Sequence, residues 1–281
     1  MVLRALLVVL VLLCVSVFAA RKPTVIIDLT PHPGGTEMMT LRALVRGHEG
    51  NFMFDTGGGI SYISPDFAQA IGCKPWGQIT GFTLVGQRLD MRRCDGVTFE
   101  IQGHSFGAPT SGVFDIMKFM PPNVPRIDGS VGLDVFAGKA VTLSLAQRKL
   151  TVESASSLAA RMKAGKEVPV RLNREAGGAS LAVYVAVPTD GGIAWMELDS
   201  GNGGANVIGK HLAALLKLDA NKNEPQRASF TLAGGIPVEG MARVNDKLIM
   251  DGNIGTRFLI DWDVTLDLAN GRAWFARVKT R

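Results

Sequence analysis

Along this chain hydrophobic and polar positions alternate over short runs, the pattern of half-buried strands. Such runs span Met39 to Val45, Leu181 to Val187, Val141-Thr142-Leu143-Ser144-Leu145 and Val264-Thr265-Leu266-Asp267-Leu268. Helical spacing is confined to two brief stretches, Pro65 to Ile71 and Gly209 to Leu216. A mainly β chain with short helices is expected.

The pattern also repeats. Residues 127–152, opening Ile127-Asp128-Gly129-Ser130-Val131-Gly132, align without a gap with residues 250–275, opening Met250-Asp251-Gly252-Asn253-Ile254-Gly255. Upstream, Phe52-Met53-Phe54-Asp55-Thr56-Gly57-Gly58 matches Met196-Glu197-Leu198-Asp199-Ser200-Gly201-Asn202. Each half reads as two strands, Asp-Thr/Ser-Gly, a short helix, hairpins, an apolar-apolar-Gly segment and a closing hairpin. Between the halves, residues 154–166 are small, polar and free of β-branched side chains, which suits a linker or a short surface helix. This divides the chain into a leader at 1–20, an N-terminal β lobe at 21–153, the linker, and a C-terminal β lobe at 167–281, each lobe within ordinary domain size.

Composition narrows the classes. With 281 residues, 47% hydrophobic, 20% charged and 33 glycines, the chain has a core to bury, and disordered or low-complexity architectures are excluded. The net charge of +5 is spread along the chain and forms no cationic block, so no nucleic-acid partner is expected. Met1 to Ala20 has a charged tip at Arg4, an apolar run and two small residues at Ala19 and Ala20, the form of a secretory signal peptide. An uncleaved anchor is the alternative; no further membrane contact is expected, and the location is periplasmic or secreted. In such a compartment Cys73 and Cys94 have two states open to them, a bridge closing a loop of about 20 residues or a pair of buried thiols. His32, His48, His104 and His211 are scattered without ligand spacing, so neither a metal nor a cofactor is expected.

The chemistry lies in the duplicated acids. Asp followed by a small hydroxyl residue and Gly, at the end of an apolar strand, presents a carboxylate on a tight turn. One copy is an ordinary turn; two in matched contexts place Asp55 and Asp199 face to face across a pseudo-twofold axis. Two carboxylates about 3 Å apart share one proton. One then activates a water while its protonated partner donates to a substrate carbonyl.

These residues resemble the aspartic proteases. FDTGG with Ser130-Val131-Gly132, and LDSGN with Asn253-Ile254-Gly255, resemble that family over essentially the whole mature chain, pepsin-like in having two lobes and retropepsin-like in their shortness. The resemblance implies a bilobal fold of two pseudo-twofold-related β-barrel-like lobes, with Asp55 and Asp199 as catalytic dyad. It further implies that Thr56 and Ser200 lock the turns together, that Gly57 and Gly201 permit their geometry, and that Gly132 and Gly255 complete a psi-shaped crossing behind each. It departs from the family where Gly58 and Asn202 replace the usual Ser, Thr or Ala. Asn202 is expected to donate its side-chain amide to the carboxylate. The expected flap, Phe82 to Phe106, has no Tyr; Trp76 is expected in the core or by the cleft, and Tyr62 in the wall or core.

Other motifs carry less. Gly103-His104-Ser105-Phe106-Gly107 matches a serine-hydrolase elbow in letters only and is read as a hairpin turn. Asp128 and Asp251 are read as turn or cap residues. Residues 21–33 are either a first strand or a cover over the cleft. The expected activity is that of a monomeric aspartic endopeptidase acting on polypeptides, and the alternative is an inactive relative that binds a peptide or envelope ligand in the interlobe cleft.

Overall fold

A computed structural model describes residues 23–33, 37–222 and 224–278; the leader reading of Met1 to Ala20 falls outside them. The alternating runs form two sheets. The N-terminal sheet has eight strands, with His48–Phe54, Gly129–Val131 and Tyr62–Ile63 at its centre. The second sheet has twelve. Six of them, from Ala182–Thr189 to Gln226–Leu232, repeat the N-terminal plan.

In each half the strand that ends in aspartate pairs in parallel with the segment Gly-x-apolar. Phe52, Met53 and Phe54 face Gly129, Ser130 and Val131, and Met196, Glu197 and Leu198 face Gly252, Asn253 and Ile254. The duplicated acids hold these crossings. Asn51 N–H donates to Asp128 Oδ2 at 2.9 Å and Trp195 N–H to Asp251 Oδ2 at 2.7 Å, which is the structural use expected of both.

The other six strands of the large sheet join the halves. Val25–Asp28, Lys149–Val152, Ala140–Ser144, Trp262–Asp267, Arg272–Arg277 and Lys166–Asn173 lie side by side in that order. At its middle Thr142 pairs with Thr265, and their hydroxyl oxygens are 2.9 Å apart. These residues are equivalent in the aligned repeat, so the pseudo-twofold axis passes between them. Val25–Asp28 is an edge strand of this platform and Thr30–Pro31 pairs with Met39–Val45, so residues 23–33 hold the first strand rather than a cover.

Local chemistry explains the helices. Pro65–Ala70 begins with Pro at its first turn, and the Ser64 side chain caps it. The stretch at 154–166 contains the helix Ala155–Ala164, closed by a reciprocal capping box between Ser154 and Ser157. Gly209 offers no such cap, and the helix expected from Gly209 to Leu216 is reduced to the single 3-10 turn Lys210–Leu212. Gln102 and Gly103 both take positive φ in a two-residue hairpin loop, and the strand His104–Val113 follows, so Ser105 sits on no elbow.

The main core cluster runs through both halves, and a smaller one of Ile60, Ile79 and Met91 lies under the hairpin that covers the cleft. Phe54, Val131, Phe136 and Leu143 of the first half join Met196, Val264 and Phe275 of the second, and Phe52 packs edge-on to Phe67 and Phe99 with centroids 5.2 and 5.3 Å away. Cys73 and Cys94 are bridged, tying the end of the first helix to the long strand Arg88–Ile101. A loop closed over 21 residues of separation stabilises by about 3 kcal/mol through the unfolded chain. The double variant Cys73→Ala/Cys94→Ala is therefore expected to unfold about 3 kcal/mol more easily in urea, and wild type with reductant to match it.

Candidate active site

The two Asp-Thr/Ser-Gly turns meet on the pseudo-twofold axis. Thr56 N–H donates to Ser200 Oγ at 3.0 Å, and Ser200 N–H donates to Thr56 Oγ1 at 2.9 Å. Each hydroxyl then donates across to the other strand, Thr56 to the Leu198 carbonyl at 2.8 Å and Ser200 to that of Phe54 at 3.2 Å. Thr56 and Ser200 are both buried, so all four bonds are shielded from water.

The glycines bring the carboxyls close. A Cβ on Gly57 would lie 2.5 Å from Asp199 Cγ, and one on Gly201 would lie 2.8 Å from Asp55 Cγ, so each acid rests on the other turn. Within its own turn Asp55 Oδ1 accepts from Gly57 N–H at 2.9 Å, and Asp199 Oδ1 from Gly201 at 2.7 Å and Asn202 at 3.2 Å. Behind the turns, Gly132 N–H donates to Ser61 Oγ and Gly255 N–H to Asn206 Oδ1.

Burial, the nearby Asp199 charge and a hydrogen bond between the two carboxyls hold the Asp55 pKa well above the usual range. The pair therefore holds on to one proton. The same forces act on its neighbours: burial, then the Asp55 charge, raise the Tyr62 phenol, and Tyr62 is buried against Phe114. Asp134, which supports Ser61 through bonds of 2.9 and 2.7 Å, is pushed by burial up to about 6.

Three residues of the site were not anticipated. Glu197, two positions before Asp199 on the same strand face, is 3% exposed, lines the cleft, and is raised to about 9, first by burial and then by the Asp199 charge. Asn253 donates its amide to Asp199 Oδ2 at 2.8 Å and to Glu197 Oε2 at 3.0 Å. Asp134 is the third. A lone acid in the apolar run Ala194 to Leu198, where the first copy has Met53, was the available signal for Glu197. The expectation for Asn202 is corrected: its amide reaches Asn253 Oδ1 at 2.8 Å and the Ala205 carbonyl, not the carboxylate. Gly58 leaves Asp55 Oδ2 without a side-chain neighbour from that position, since a Cβ there would lie 3.1 Å from it.

The cleft above the dyad is a cavity of about 140 Å³. Gly57, Gly58, Glu197 and Tyr184 form its floor, and Ile79, Phe82, Leu84 and Met91 its roof. That roof is the hairpin of Trp76–Phe82 and Arg88–Ile101, which starts at Trp76, N-terminal of the stretch expected, and overlaps that stretch from Phe82 to Ile101. Ile249 N–H of the C-terminal half donates to the Leu84 carbonyl at 3.0 Å and latches the hairpin tip. Trp76 is 51% exposed at the far end of this hairpin, under Arg93 at 4.1 Å, and belongs to neither core nor cleft. Among the described residues no group of three or more His, Cys, Asp or Glu is arranged to hold a metal ion, and no helix is long and apolar enough to cross a membrane.

Comparison with known proteins agrees with this architecture. Residues 41–135 match the family model "Aspartyl protease". No curated protein sequence matches the chain. Among solved structures, it is similar to basic 7S globulin from soybean at 9% identity and TM-score 0.57, over 90% of this chain and 94% of that one. Conglutin gamma, a basic 7S globulin from lupine seeds, is similar at 8% identity and TM-score 0.58, over 92% and 96%. The structure titled edgp is similar at 11% and 0.56, over 92% and 96%. The chain thus has the two-lobed fold of aspartic proteases, and within its N-terminal half residues 41–135 are similar to the aspartyl protease family model.

Two outcomes follow. Thr56→Val leaves Ser200 N–H and the Leu198 carbonyl buried without partners, so it is expected to cost about 2 to 4 kcal/mol in urea unfolding. The acids set the pH dependence. Because the folded chain still holds protons that the unfolded chain has released, stability falls as pH rises from 4.5 to about 9 for Glu197 and from 3.8 to about 6 for Asp134. Glu197→Gln removes the first of these losses. Its unfolding midpoint is expected to gain on wild type from about pH 5 upward, approaching about 1.4 kcal/mol per pH unit, and no gain by pH 8 would refute the buried neutral acid.

Proposed function

We propose that the protein is an aspartic endopeptidase of the exported compartment. The observation that carries this reading is the pair Asp55 and Asp199, each resting on the other's turn glycine, with one acid held in its protonated form. In that state Asp199 is the base that takes a proton from a water bound between the carboxyls, while Asp55 donates to the scissile carbonyl and stabilises the oxyanion that forms there. Proton return to the leaving nitrogen completes hydrolysis. No metal is needed for these steps. The leader-like Met1 to Ala20 and the Cys73–Cys94 bridge support export.

A second reading, a cleft that binds a peptide or envelope ligand without cutting it, is favoured by Gly58, which lends Asp55 no hydroxyl, and by a roof without Tyr that is latched at Ile249. Two of the similar folds are also named as globulins.

Incubation of purified mature protein with a complex peptide mixture from pH 3 to 7, read by mass spectrometry, separates the two. Cuts by wild type that vanish in both Asp55→Asn and Asp199→Asn are expected. Folded wild type that cuts nothing across that range would defeat the endopeptidase and leave the binder.

A further inference from the structure

The two halves of the site are alike in backbone, and one pair of facing positions beside the dyad differs in its chemistry. In the first half Met53 pairs with Ser130; the equivalent pair in the second is Glu197 and Asn253. Ser130 turns its hydroxyl to the Met53 carbonyl at 3.3 Å. Asn253 instead spends one amide hydrogen on Glu197 Oε2 and the other on Asp199 Oδ2. Its oxygen is occupied as well, accepting from Asn202 Nδ2. Rotating that amide by half a turn would set its oxygen against two carboxyl groups and leave the Asn202 donor facing an amine.

The result is an unequal pair of acids. Asp199 collects three donors, the backbone N–H groups of Gly201 and Asn202 and the Asn253 amide. Asp55 collects only backbone N–H groups, from Gly57 and Gly58. Hydrogen bonds to a carboxylate favour its ionised form.

We propose that Glu197 is a positioning residue for the dyad: by accepting one hydrogen of Asn253 it aims the other at Asp199, which makes Asp199 the ionised acid and Asp55 the proton carrier. This deepens the endopeptidase reading and rests on it for its use in catalysis, but the proton assignment belongs to the folded site and is measurable without turnover. Glu197 faces Asp199, Asp55 and Glu175, with Tyr184 opposite it on the neighbouring strand. Burial and the three acids disfavour a charge on Glu197, so it acts on Asn253 as a neutral acceptor over the acid and neutral range and adds no repulsion to the dyad.

The test is a carboxyl ¹³C NMR titration of the mature protein, wild type beside Glu197→Gln and Glu197→Met, with signals assigned by their loss in Asp55→Asn and Asp199→Asn. Wild-type Asp199 is expected to lose its proton at least one pH unit before Asp55, a tenfold difference in proton affinity. Gln offers Asn253 the same acceptor and should preserve that order, whereas Met, the first-half residue, should raise Asp199 and narrow the gap. In kcat/KM profiles the acid limb should stay in place for the Gln variant and move up by about one unit for Met. Asp55 titrating first, or wild type and Met titrating alike, would overturn the proposal. If Glu197→Met does not fold, Asn253→Ser, again the first-half residue, removes the same amide and should raise Asp199 likewise. A wild type that cuts no peptide defeats the endopeptidase reading alone, because the titration still decides where the proton sits.

Discussion

Two carboxyl groups in contact repel once both are charged. At about 3 Å and an effective dielectric near 20 the repulsion is about 5 kcal/mol, comparable with the net stability of a small domain. The site therefore exists only if something rigid holds the acids together and one proton stays between them. The reciprocal bonds of Thr56 and Ser200 supply the first condition. They are buried, paired in both directions, and continued by each hydroxyl into the opposite strand, so the turns cannot separate without orphaning backbone groups in an apolar interior. Burial of Asp55 beside Asp199 supplies the second.

Those four bonds need a platform that brings equivalent residues together. The six-stranded interlobe sheet does this, with Thr142 and Thr265 on the same axis as Thr56 and Ser200. Symmetry is kept at the axis and relaxed away from it. Behind the first turn, Gly132 is supported by Ser61, itself held by the buried acid Asp134. Behind the second, the side chain of Asn206 alone serves Gly255. One support carries a titrating group and the other does not, so the pH dependence near 6 belongs to the first half only.

Much of this was legible because a repeat carries three-dimensional information. The offset between Asp55 and Asp199, and that between Ile127 and Met250, already named the residues that would meet. The strand that ends in Asp, the crossing Gly and the duplicated Asp128 and Asp251 could be read in the same way, each signal being local in sequence and written twice. What failed to show was what is written once. Glu197 and Asn253 are 56 residues apart and differ from their counterparts, so nothing in either copy announces that they touch. Asn202 follows its turn directly, and proximity in sequence suggested the carboxylate as its partner; Asn253 competes for the same amide and has the better position. Trp76 and the start of the flap were misplaced for a similar reason. The hairpin's register is set by pairing with Arg88–Ile101, which a strand pattern alone does not reveal.

The roofed cleft decides how far the floor can be reached. A space of about 140 Å³ is below the roughly 300 Å³ of ordinary ligand pockets, so an extended peptide enters only when the hairpin lifts. Ile79 and Met91 hold it down by packing with Ile60, Phe114 and Ala179. One backbone bond, Ile249 to Leu84, crosses from tip to second half, and a net contribution of about 1 kcal/mol is usual for such a bond. Phe82, Val85 and Ile249 are all exposed around it, so apolar surface is available for an incoming chain to cover in place of the latch. Lifting the hairpin thus costs this latch and the burial of Ile79 and Met91, and on the endopeptidase reading the contacts of a bound peptide must offset both. Whether the bound chain is then cut depends less on the roof than on the floor, where the proton must lie on one acid and the charge on the other before a water can be activated between them.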